Sequence, residues 1–286
     1  KMVHNGIEYG LMQLLAETYD LMHRGLGLDR GQLQAVYENW NRTELSSYLV
    51  EITARIFQQN DEKTGKPLLE LILDEAAQKG TGKWTAQDAM DLQTPVPTIN
   101  AAVAMRDLSG KKSERVAASQ ILAGEARAFS GNRDSFILQI QNALYAGMII
   151  TFAQSLALLR AASRAYNYGL NLESVARLWR GGCIIRAALL EDIHSVYAAQ
   201  PDLSNLLMDA SLAQKVLARQ EDWRAVVHTA VELGIPAPAL TASLFYFDGW
   251  RSARLPANLI QAQRDYFGAH TYKRVDAAGV FHTKWS

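Results

Sequence analysis

The sequence contains one cysteine, Cys183, in 286 residues. A single thiol excludes an intrachain disulfide framework and fits a reducing compartment. An excess of charge is also lacking, because Lys and Arg together number 29 and Asp and Glu together number 29. This balance excludes the overall basic field that would attract nucleic acid. We therefore expect any anionic ligand to be held by a local cluster of cations.

No uninterrupted apolar run reaches the length that spans a bilayer. The segment 146–159 comes nearest, but Thr151, Gln154 and Ser155 interrupt it, which favours a buried helix. The first twenty residues also lack the apolar block and the cleavage site of a signal peptide. We expect a soluble, cytoplasmic protein without a membrane partner. The sequence starts with Lys1 rather than an initiator methionine, which we interpret as the remainder of a larger protein.

Proline is scarce as well, with seven residues, and apolar residues recur at helical spacing almost everywhere between them. Before the end of the chain no run of alternating apolar and polar residues predicts a strand. The pattern therefore predicts an all-α fold, a large multi-helix domain with a long central helix from about Asp134 to Ala165. Side chains that can cap helix N-termini predict further helix starts at Thr43, Thr85, Asn171 and Asp202.

The helical pattern stops near the end of the chain, where we place a boundary between a helical domain, residues 1–268, and an extended tail, residues 269–286. The tail is rich in β-branched and aromatic residues, and full exposure would leave Tyr272, Phe281 and Trp285 without contacts. Two interpretations remain open from these residues. The tail is either an arm docked on a partner subunit or a terminus folded back on its own domain.

Two nucleotide-binding patterns can be set aside. The segment Gly80–Lys83 looks like part of a phosphate-binding loop, but Ala77 replaces the required glycine and Trp84 replaces the required Ser or Thr. No G-x-G-x-x-G fingerprint follows a strand, so the sequence predicts no dinucleotide fold of its own. No dense set of His, Asp and Glu residues indicates a metal site.

The first fifteen residues combine a packing face with a polar face. On a helix that advances about 100° per residue, Lys1, Asn5, Glu8 and Met12 fall within about 60° of one another. His4 and Tyr9 flank this polar face. Gly6 and Gly10 leave the other side bare for close approach by a neighbour. From the spacing alone a solvated amphipathic helix is the simpler interpretation, and the alternative is a site that presents an amine, a carboxamide and a carboxylate together.

Possible anion-binding cations occur at three further places. The glycine-containing loop 78–85 carries Lys79 and Thr81, whose donors suit a phosphate, although exposed lysines after a helix would look the same. Arg106 lies in a mostly apolar helical stretch and is either a rim residue or a partly buried cation that needs an anion. Arg264 and His270 lie near the end of the last helix, where cations also stabilise helix C-termini.

Several segments together resemble the 6-phosphogluconate dehydrogenases. The first, KMVHNGIEYG, is similar to the catalytic helix of that family. The matching segments occur in order over essentially the whole chain, and the first and last are long and nearly uninterrupted: Lys1–Gly10, Glu44–Leu49, Leu73–Thr85, Gly182–Arg186 and Leu255–Tyr272. Two positions depart from the family pattern, because Leu11 replaces an aspartate and Thr43 replaces a glycine.

The resemblance implies NADP-dependent oxidative decarboxylation of 6-phosphogluconate to ribulose 5-phosphate and CO2, in the pentose phosphate pathway. Lys1 matches the base that takes the proton of the C3 hydroxyl, and Glu8 matches the acid that protonates the enediol. The remaining matched residues bind the substrate. They are His4 and Asn5 near its carboxylate and C3 hydroxyl, Tyr9, Lys79, Thr81 and Arg106 at its 6-phosphate, and Arg264 and His270 from the partner subunit.

The resemblance also implies a homodimer in which each tail threads through the other subunit. NADP would be bound mainly by an N-terminal nucleotide-binding domain that this sequence does not contain. Two alternative functions stay open, namely a catalytically inert helical dimerisation module and a related dehydrogenase of another phosphorylated β-hydroxy acid. The cluster of Lys79, Thr81, Arg106 and Arg264 argues against a substrate without a phosphate.

Overall fold

A computed structural model describes residues 1–124 and 127–285 of the chain. Within these residues the chain forms fourteen α-helices and no β-strand, which confirms the predicted all-α fold. The helices are α1 (Met2–Asp20), α2 (Arg30–Trp40), α3 (Tyr48–Gln58), α4 (Leu68–Leu71), α5 (Thr81–Asp91), α6 (Pro97–Ser109), α7 (Lys112–Ile121), α8 (Arg133–Ala165), α9 (Leu172–Arg180), α10 (Leu189–Ala199), α11 (Ala210–Leu217), α12 (Gln220–Leu233), α13 (Pro238–Arg251) and α14 (Ala257–Gly268).

The long central helix is α8, which confirms the helix predicted from about residue 134 to 165. Residues 143–156 of α8 are all buried, as expected for a helix that is apolar on every side. Its polar residues are hydrogen-bonded inside the protein, for example Thr151 Oγ1 to the carbonyl of Gly147 at 2.8 Å. The helix is long and apolar enough to cross a membrane, but 83% of its most apolar stretch is buried inside the protein.

Helix α1 packs directly on α8, as its glycines predicted. A Cβ added at Gly10 would lie 2.8 Å from Cγ2 of Thr151, so only a bare backbone fits at this contact. In the reverse direction, a Cβ at Gly147 of α8 would lie 3.1 Å from a methyl group of Leu14. The two helices therefore approach each other more closely than a side chain at either glycine would allow. This contact limits how α1 can rotate about its axis.

One predicted helix start is wrong because a later residue caps the helix. Thr43 does not begin a helix, since its hydroxyl donates instead to the carbonyl of Trp40 at 2.7 Å, at the end of α2. Ser47 caps α3, and its hydroxyl accepts the N–H of Val50 at 3.3 Å. Thr and Ser hydroxyls can bond either to a preceding carbonyl or to a following amide, and the sequence pattern does not distinguish the two.

Of the predicted helix starts at Asn171 and Asp202, one is confirmed and one is wrong. The prediction at Asn171 is confirmed, because its side chain accepts the N–H of Ser174 at 2.7 Å. The prediction at Asp202 is wrong, since that residue lies in a turn and α11 follows Asp209. Asp209 accepts two amides of the first turn, including that of Leu212 at 3.0 Å.

The contacts divide the chain into two compact units, Lys1–Leu244 and a second one from Phe245 to the end. In the second unit the tail turns back as a short hairpin, in which Tyr272 and Phe281 exchange backbone hydrogen bonds of 2.8 Å. The predicted boundary at residue 268 and the docking of residues 269–286 on a partner stay predictions. Ser286 lies outside the described residues.

One buried carboxylate, Asp265 of α14, holds this tail. It accepts hydrogen bonds from the backbone N–H groups of Thr271 and Thr283, at 2.9 and 3.0 Å. It also accepts hydrogen bonds from ring nitrogens of His282 and Trp285, each at 2.9 Å. Burial alone would raise the pKa of Asp265, but these donors outweigh it and hold the pKa below its ordinary value. The carboxylate thus fastens both ends of the hairpin to α14.

A second buried carboxylate, Glu17 near the end of α1, joins that helix to the start of α13. Its two oxygens accept the N–H groups of Ala239 and Leu240, each at 2.8 Å, and Gln13 donates a third hydrogen bond at 2.9 Å. Amides of a first helical turn lack partners within the helix, so Glu17 caps α13 from a distant part of the chain. Burial nevertheless raises the pKa of Glu17 from its ordinary value to about 7.

We predict that the contribution of Glu17 to stability falls as pH rises from about 4.5 to 7. Its pKa is higher in the folded protein than in the unfolded chain, so the contribution is complete at low pH and is lost as the buried carboxyl ionises. Relative to Glu17→Gln, the free energy of unfolding should drop by roughly 3 kcal/mol across this range. Urea unfolding at several pH values measures the difference, with exposed Glu114→Gln as control. A difference that does not change with pH would contradict the prediction.

Candidate active site

The predicted polar face is present on α1. The backbone N–H of Asn5 bonds to the carbonyl of Lys1 at 3.1 Å, so Lys1 is in register with the first turn of the helix. The carboxamide of Asn5 donates to the carboxylate of Glu8 at 3.1 Å. Asn5 and Glu8 are half-buried while Lys1 is exposed, so the face is open to a ligand on the side of the amine.

His4 lies at the border of this face against an aromatic neighbour. Its imidazole meets the ring of Trp179 edge to face, with centroids 6.2 Å apart and planes at 68°. Burial lowers the pKa of His4, and the nearby carboxylate of Glu8 opposes this shift only in part. A neutral imidazole can both donate and accept hydrogen bonds, which suits a group that binds substrate hydroxyls.

Trp179 is a residue of this site that the sequence did not reveal. It lies near the end of α9 and is buried, with 8% of its surface exposed. A tryptophan on an amphipathic helix is most simply a core residue, so its type and spacing gave no signal. Only its position, shortly before the family-like segment Gly182–Arg186, could have drawn attention to it.

Tyr9 and Arg106 come together although 97 positions separate them. The guanidinium carbon of Arg106 lies 3.4 Å from the centroid of the Tyr9 ring, a stacked cation–π contact. A guanidinium nitrogen also lies 3.6 Å from the sulfur of Met12. In the described part of the chain the guanidinium thus contacts an aromatic face and a thioether rather than a carboxylate, which leaves its charge available to an anion.

The first turn of α5 lies against the same tyrosine. A Cβ added at Gly82 would be only 2.4 Å from the Tyr9 ring, so the backbone of α5 touches the ring directly. Thr81 opens the helix, after Gly80 turns the chain at φ 90°, and Lys79 is exposed just before that turn. The N-terminal turn of α5, with its partial positive charge, therefore lies against the same Tyr9 ring on which Arg106 stacks.

Thr85 has a different role from the predicted helix cap. The helix already begins at Thr81, and Thr85 lies one turn inside it with no exposed surface. Its hydroxyl lies 2.9 Å from the carbonyl of Met2 and equally far from that of Thr81. A Cβ at Gly6 would come within 2.6 Å of the Thr85 methyl group. Thr85 thus joins α5 to the start of α1, which a local sequence pattern could not show.

Arg264 and His270 lie at the C-terminal end of α14, in the second unit. Arg264 donates to the side chain of Gln261 at 3.0 Å, and His270 contacts the ring of Phe267 with centroids 5.9 Å apart. Both side chains are exposed. Within the first unit the structure brings Tyr9 together with Arg106 and with the first turn of α5, which begins at Thr81, beside the polar face of α1. Arg264 and His270 belong to the second unit.

Within residues 1–124 and 127–285, no group of three or more His, Cys, Asp or Glu side chains is arranged to hold a metal ion. The groups that the site does offer are one amine, one imidazole, one carboxylate and one guanidinium beside the first turn of α5. These suit proton transfer at one end of a ligand and binding of an anion at the other.

Comparisons with known proteins agree with this arrangement. A family model described as 6-phosphogluconate dehydrogenase, C-terminal domain, matches residues 1–285. A decarboxylating 6-phosphogluconate dehydrogenase of Synechococcus elongatus is 55% identical over the whole chain, and an NADP(+)-dependent one of Bacillus subtilis is 50% identical. The chain spans 61% of the length of both relatives.

A solved structure shows the same similarity in three dimensions. The 6-phosphogluconate dehydrogenase of Plasmodium falciparum, studied in its apo form and with NADP+ or 6-phosphogluconate, superimposes with a TM-score of 0.97. It is 43% identical, and the match covers all of this chain and 62% of that one. The fold is thus that of the helical domain of a dehydrogenase. The family match extends over residues 1–285, and the chain belongs to the 6-phosphogluconate dehydrogenase C-terminal domain family, as the resemblance implied.

We predict that Gly82→Ala destabilises the protein by displacing Tyr9 from α5. The new methyl group would overlap the ring, at a cost of about 1–3 kcal/mol that the better helix propensity of alanine offsets only in part. Urea unfolding measures the loss. Gly110→Ala is the matched control, since its Cβ would meet nothing closer than 3.6 Å. Equal stability of the two variants would show that the Tyr9 contact is not tight.

Proposed function

We propose that this chain is the substrate-binding and dimerisation portion of an NADP-dependent, decarboxylating 6-phosphogluconate dehydrogenase. One observation carries the proposal, namely that a single helix, α1, presents both the Lys1, Asn5 and Glu8 face and the Tyr9 ring on which Arg106 stacks. A phosphorylated sugar acid has its reacting carbons at one end and its phosphate at the other. The helix offers a matching group for each end.

The proposed chemistry at the first end is proton transfer. The Lys1 amine accepts the proton of the C3 hydroxyl, and the resulting ammonium then stabilises the oxygen of the 3-keto group while the bond to the carboxylate breaks and CO2 leaves. As CO2 leaves, the ammonium protonates that oxygen to give the enediol. Glu8 then gives a proton to the carbon that carried the carboxylate while the Lys1 amine takes the enol proton back, which yields ribulose 5-phosphate. His4 and Asn5 orient the carboxylate and the C3 hydroxyl, and the bond from Asn5 holds Glu8 on the same face.

NADP, when bound, accepts the hydride from C3. The described residues contain no strand, turn and helix unit of the kind that binds a dinucleotide, so we assign its binding mainly to the part of the protein outside this chain. The residues of this chain then handle the protons and the substrate. This division agrees with the relatives, of whose length the chain spans 61%.

At the second end, the proposed phosphate site consists of Tyr9, Lys79, Thr81 and Arg106. Arg106 is held flat on Tyr9, so its planar donors are oriented before a ligand arrives, which suits bidentate binding of phosphate oxygens. The first turn of α5 adds amide donors and the hydroxyl of Thr81. Lys79 adds a mobile positive charge at the rim.

The proposal includes a cytoplasmic homodimer that acts in the pentose phosphate pathway. Arg264 and His270 would reach the site of the partner subunit, and the tail would thread through that partner. The aromatic side chains at the end of α14 support this arrangement, because Tyr266 and Phe267, next to these residues, remain 63% and 72% exposed in the single chain. Apolar surface of this kind typically marks a contact with another protein surface.

We predict that Lys1→Met and Glu8→Ala each lower kcat for 6-phosphogluconate by a factor of 10² to 10⁴ in the full-length protein. Removing a general base or acid costs about this much, because solvent then has to carry the proton. Steady-state production of NADPH measures the loss. Lys63→Met and Glu62→Ala, in an exposed turn, are matched controls. If either site variant keeps a near-native kcat, the corresponding assignment is wrong.

Exchange of Arg264 between subunits can be tested by complementation. We expect Lys1→Met and Arg264→Ala homodimers to be nearly inactive, and their heterodimer to regain activity. If Arg264 acts in the partner's site, one of the two sites in the heterodimer combines an intact Lys1 with an intact Arg264. If Arg264 serves its own subunit, both sites stay damaged. Differently tagged subunits, purified as the mixed dimer and assayed, would separate these outcomes, and an inactive heterodimer would contradict the exchange.

A further inference from the structure

The segment that leads into the proposed phosphate site is not held by a packed core. Residues 71–77, between α4 and α5, are all exposed, including Leu71, Ile72 and Leu73 with about half of their surface accessible. Behind the segment lies a cavity of about 400 Å³, bordered by Met105, Leu108 and other residues. Apolar packing therefore does little to determine where Lys79 and Thr81 lie. Another set of interactions has to place them.

Polar contacts at alternate positions, 74, 76 and 78, perform this role. The carboxylate of Asp74 forms ion pairs with Lys112 and with Arg115, the latter at 3.0 Å. Arg115 also donates to the backbone carbonyl of Asp74 at 3.2 Å and to that of Ser109 at 3.0 Å. These two cations, both on α7, hold the pKa of Asp74 at about 2, so its charge persists at any physiological pH.

The next two contacts reach the last turn of α6, which also contains Arg106. The N–H of Ala76 donates to the hydroxyl of Ser109 at 2.9 Å, and that hydroxyl in turn donates to the carbonyl of Arg106 at 2.7 Å. The carboxamide of Gln78 donates to the carboxylate of Asp107. The loop is therefore connected by hydrogen bonds to the backbone of the same residue that stacks on Tyr9.

We propose that these contacts form a polar latch that sets the distance between the two halves of the phosphate site. The latch comprises Asp74, Ala76 and Gln78 on the loop, with Asp107, Ser109, Lys112 and Arg115 on α6 and α7. Asp74 is its principal positioning residue. The inference rests on the proposed function, because it assigns Lys79, Thr81 and Arg106 to one phosphoryl group. The latch touches no substrate, and it acts by holding Lys79 and Thr81 within reach of the anion that Arg106 binds.

The test is Asp74→Asn in the full-length protein, which keeps the shape of the side chain and removes its charge. We expect KM for 6-phosphogluconate and the inhibition constant of inorganic phosphate to rise together by about five- to tenfold, with kcat changed less than about twofold. The proton-transfer groups on α1 are untouched, so the loss should be confined to phosphate binding. Lys112→Gln removes one cation of the same pair and should shift KM in the same direction.

A double-mutant cycle separates positioning from general destabilisation. If Asp74 acts through the loop cation, Asp74→Asn should have little further effect on KM in a Lys79→Ala background, because neighbouring residues that act together are not additive. Glu114→Gln is the matched control, since Glu114 of α7 pairs at 3.3 Å with Lys111, the residue just before that helix, and no contact of Glu114 with the loop is seen. We expect that control to keep native values.

An unchanged KM in Asp74→Asn would overturn the latch. The latch would also be overturned if Asp74→Asn raised KM by the same factor in the parent and in the Lys79→Ala background, or if it lowered kcat alone. These results differ from a failure of the proposed function. In that case the unaltered protein would not turn over 6-phosphogluconate at all, whereas a failed latch leaves an active enzyme whose Asp74 variant behaves like the parent.

Discussion

The close contact between α1 and α5 is the constraint on which the site depends. The side chain of Thr85 packs against the bare backbone of Gly6, and the ring of Tyr9 packs against the bare backbone of Gly82. The two helices thus touch at two places where a side chain on the glycine would not fit. The hydroxyl of Thr85 then lies against the carbonyl of Met2, next to Lys1. Because these contacts act from both helices, α1 cannot rotate without separating them. The direction of its polar face follows from this packing.

Tyr9 connects the two ends of the proposed site. One side of its ring supports the guanidinium of Arg106, and another borders the backbone of α5. The aromatic ring thereby keeps a cation half-buried without a carboxylate that would neutralise it. An arginine paired with an internal acid would have to leave that partner before it could bind phosphate, so an aromatic support retains more of the charge for the ligand.

How far the sequence could predict this structure depends on how local each interaction is. The polar face of α1 and the length of α8 follow from helical periodicity, and Asn171 caps a helix through a residue three positions on. Thr43 and Asp202 were misassigned, because a nearby serine and aspartate compete for the same role. The latch lay beyond prediction, since Asp74 finds its cations 38 and 41 residues later in the sequence.

The attachment of the tail to α14 is concentrated at Asp265. Four donors from residues 271–285 converge on this one carboxylate, and one backbone-paired position, Tyr272 with Phe281, completes the hairpin. A strand within a sheet separates from its neighbour only after a whole ladder of backbone hydrogen bonds breaks. The tail is held instead at a few points, namely the four hydrogen bonds to Asp265, one from Gln261 to the carbonyl of Thr271, and the contact between the rings of Tyr266 and Trp285. Loss of that one carboxylate would therefore remove most of the hydrogen bonds that keep the tail on α14.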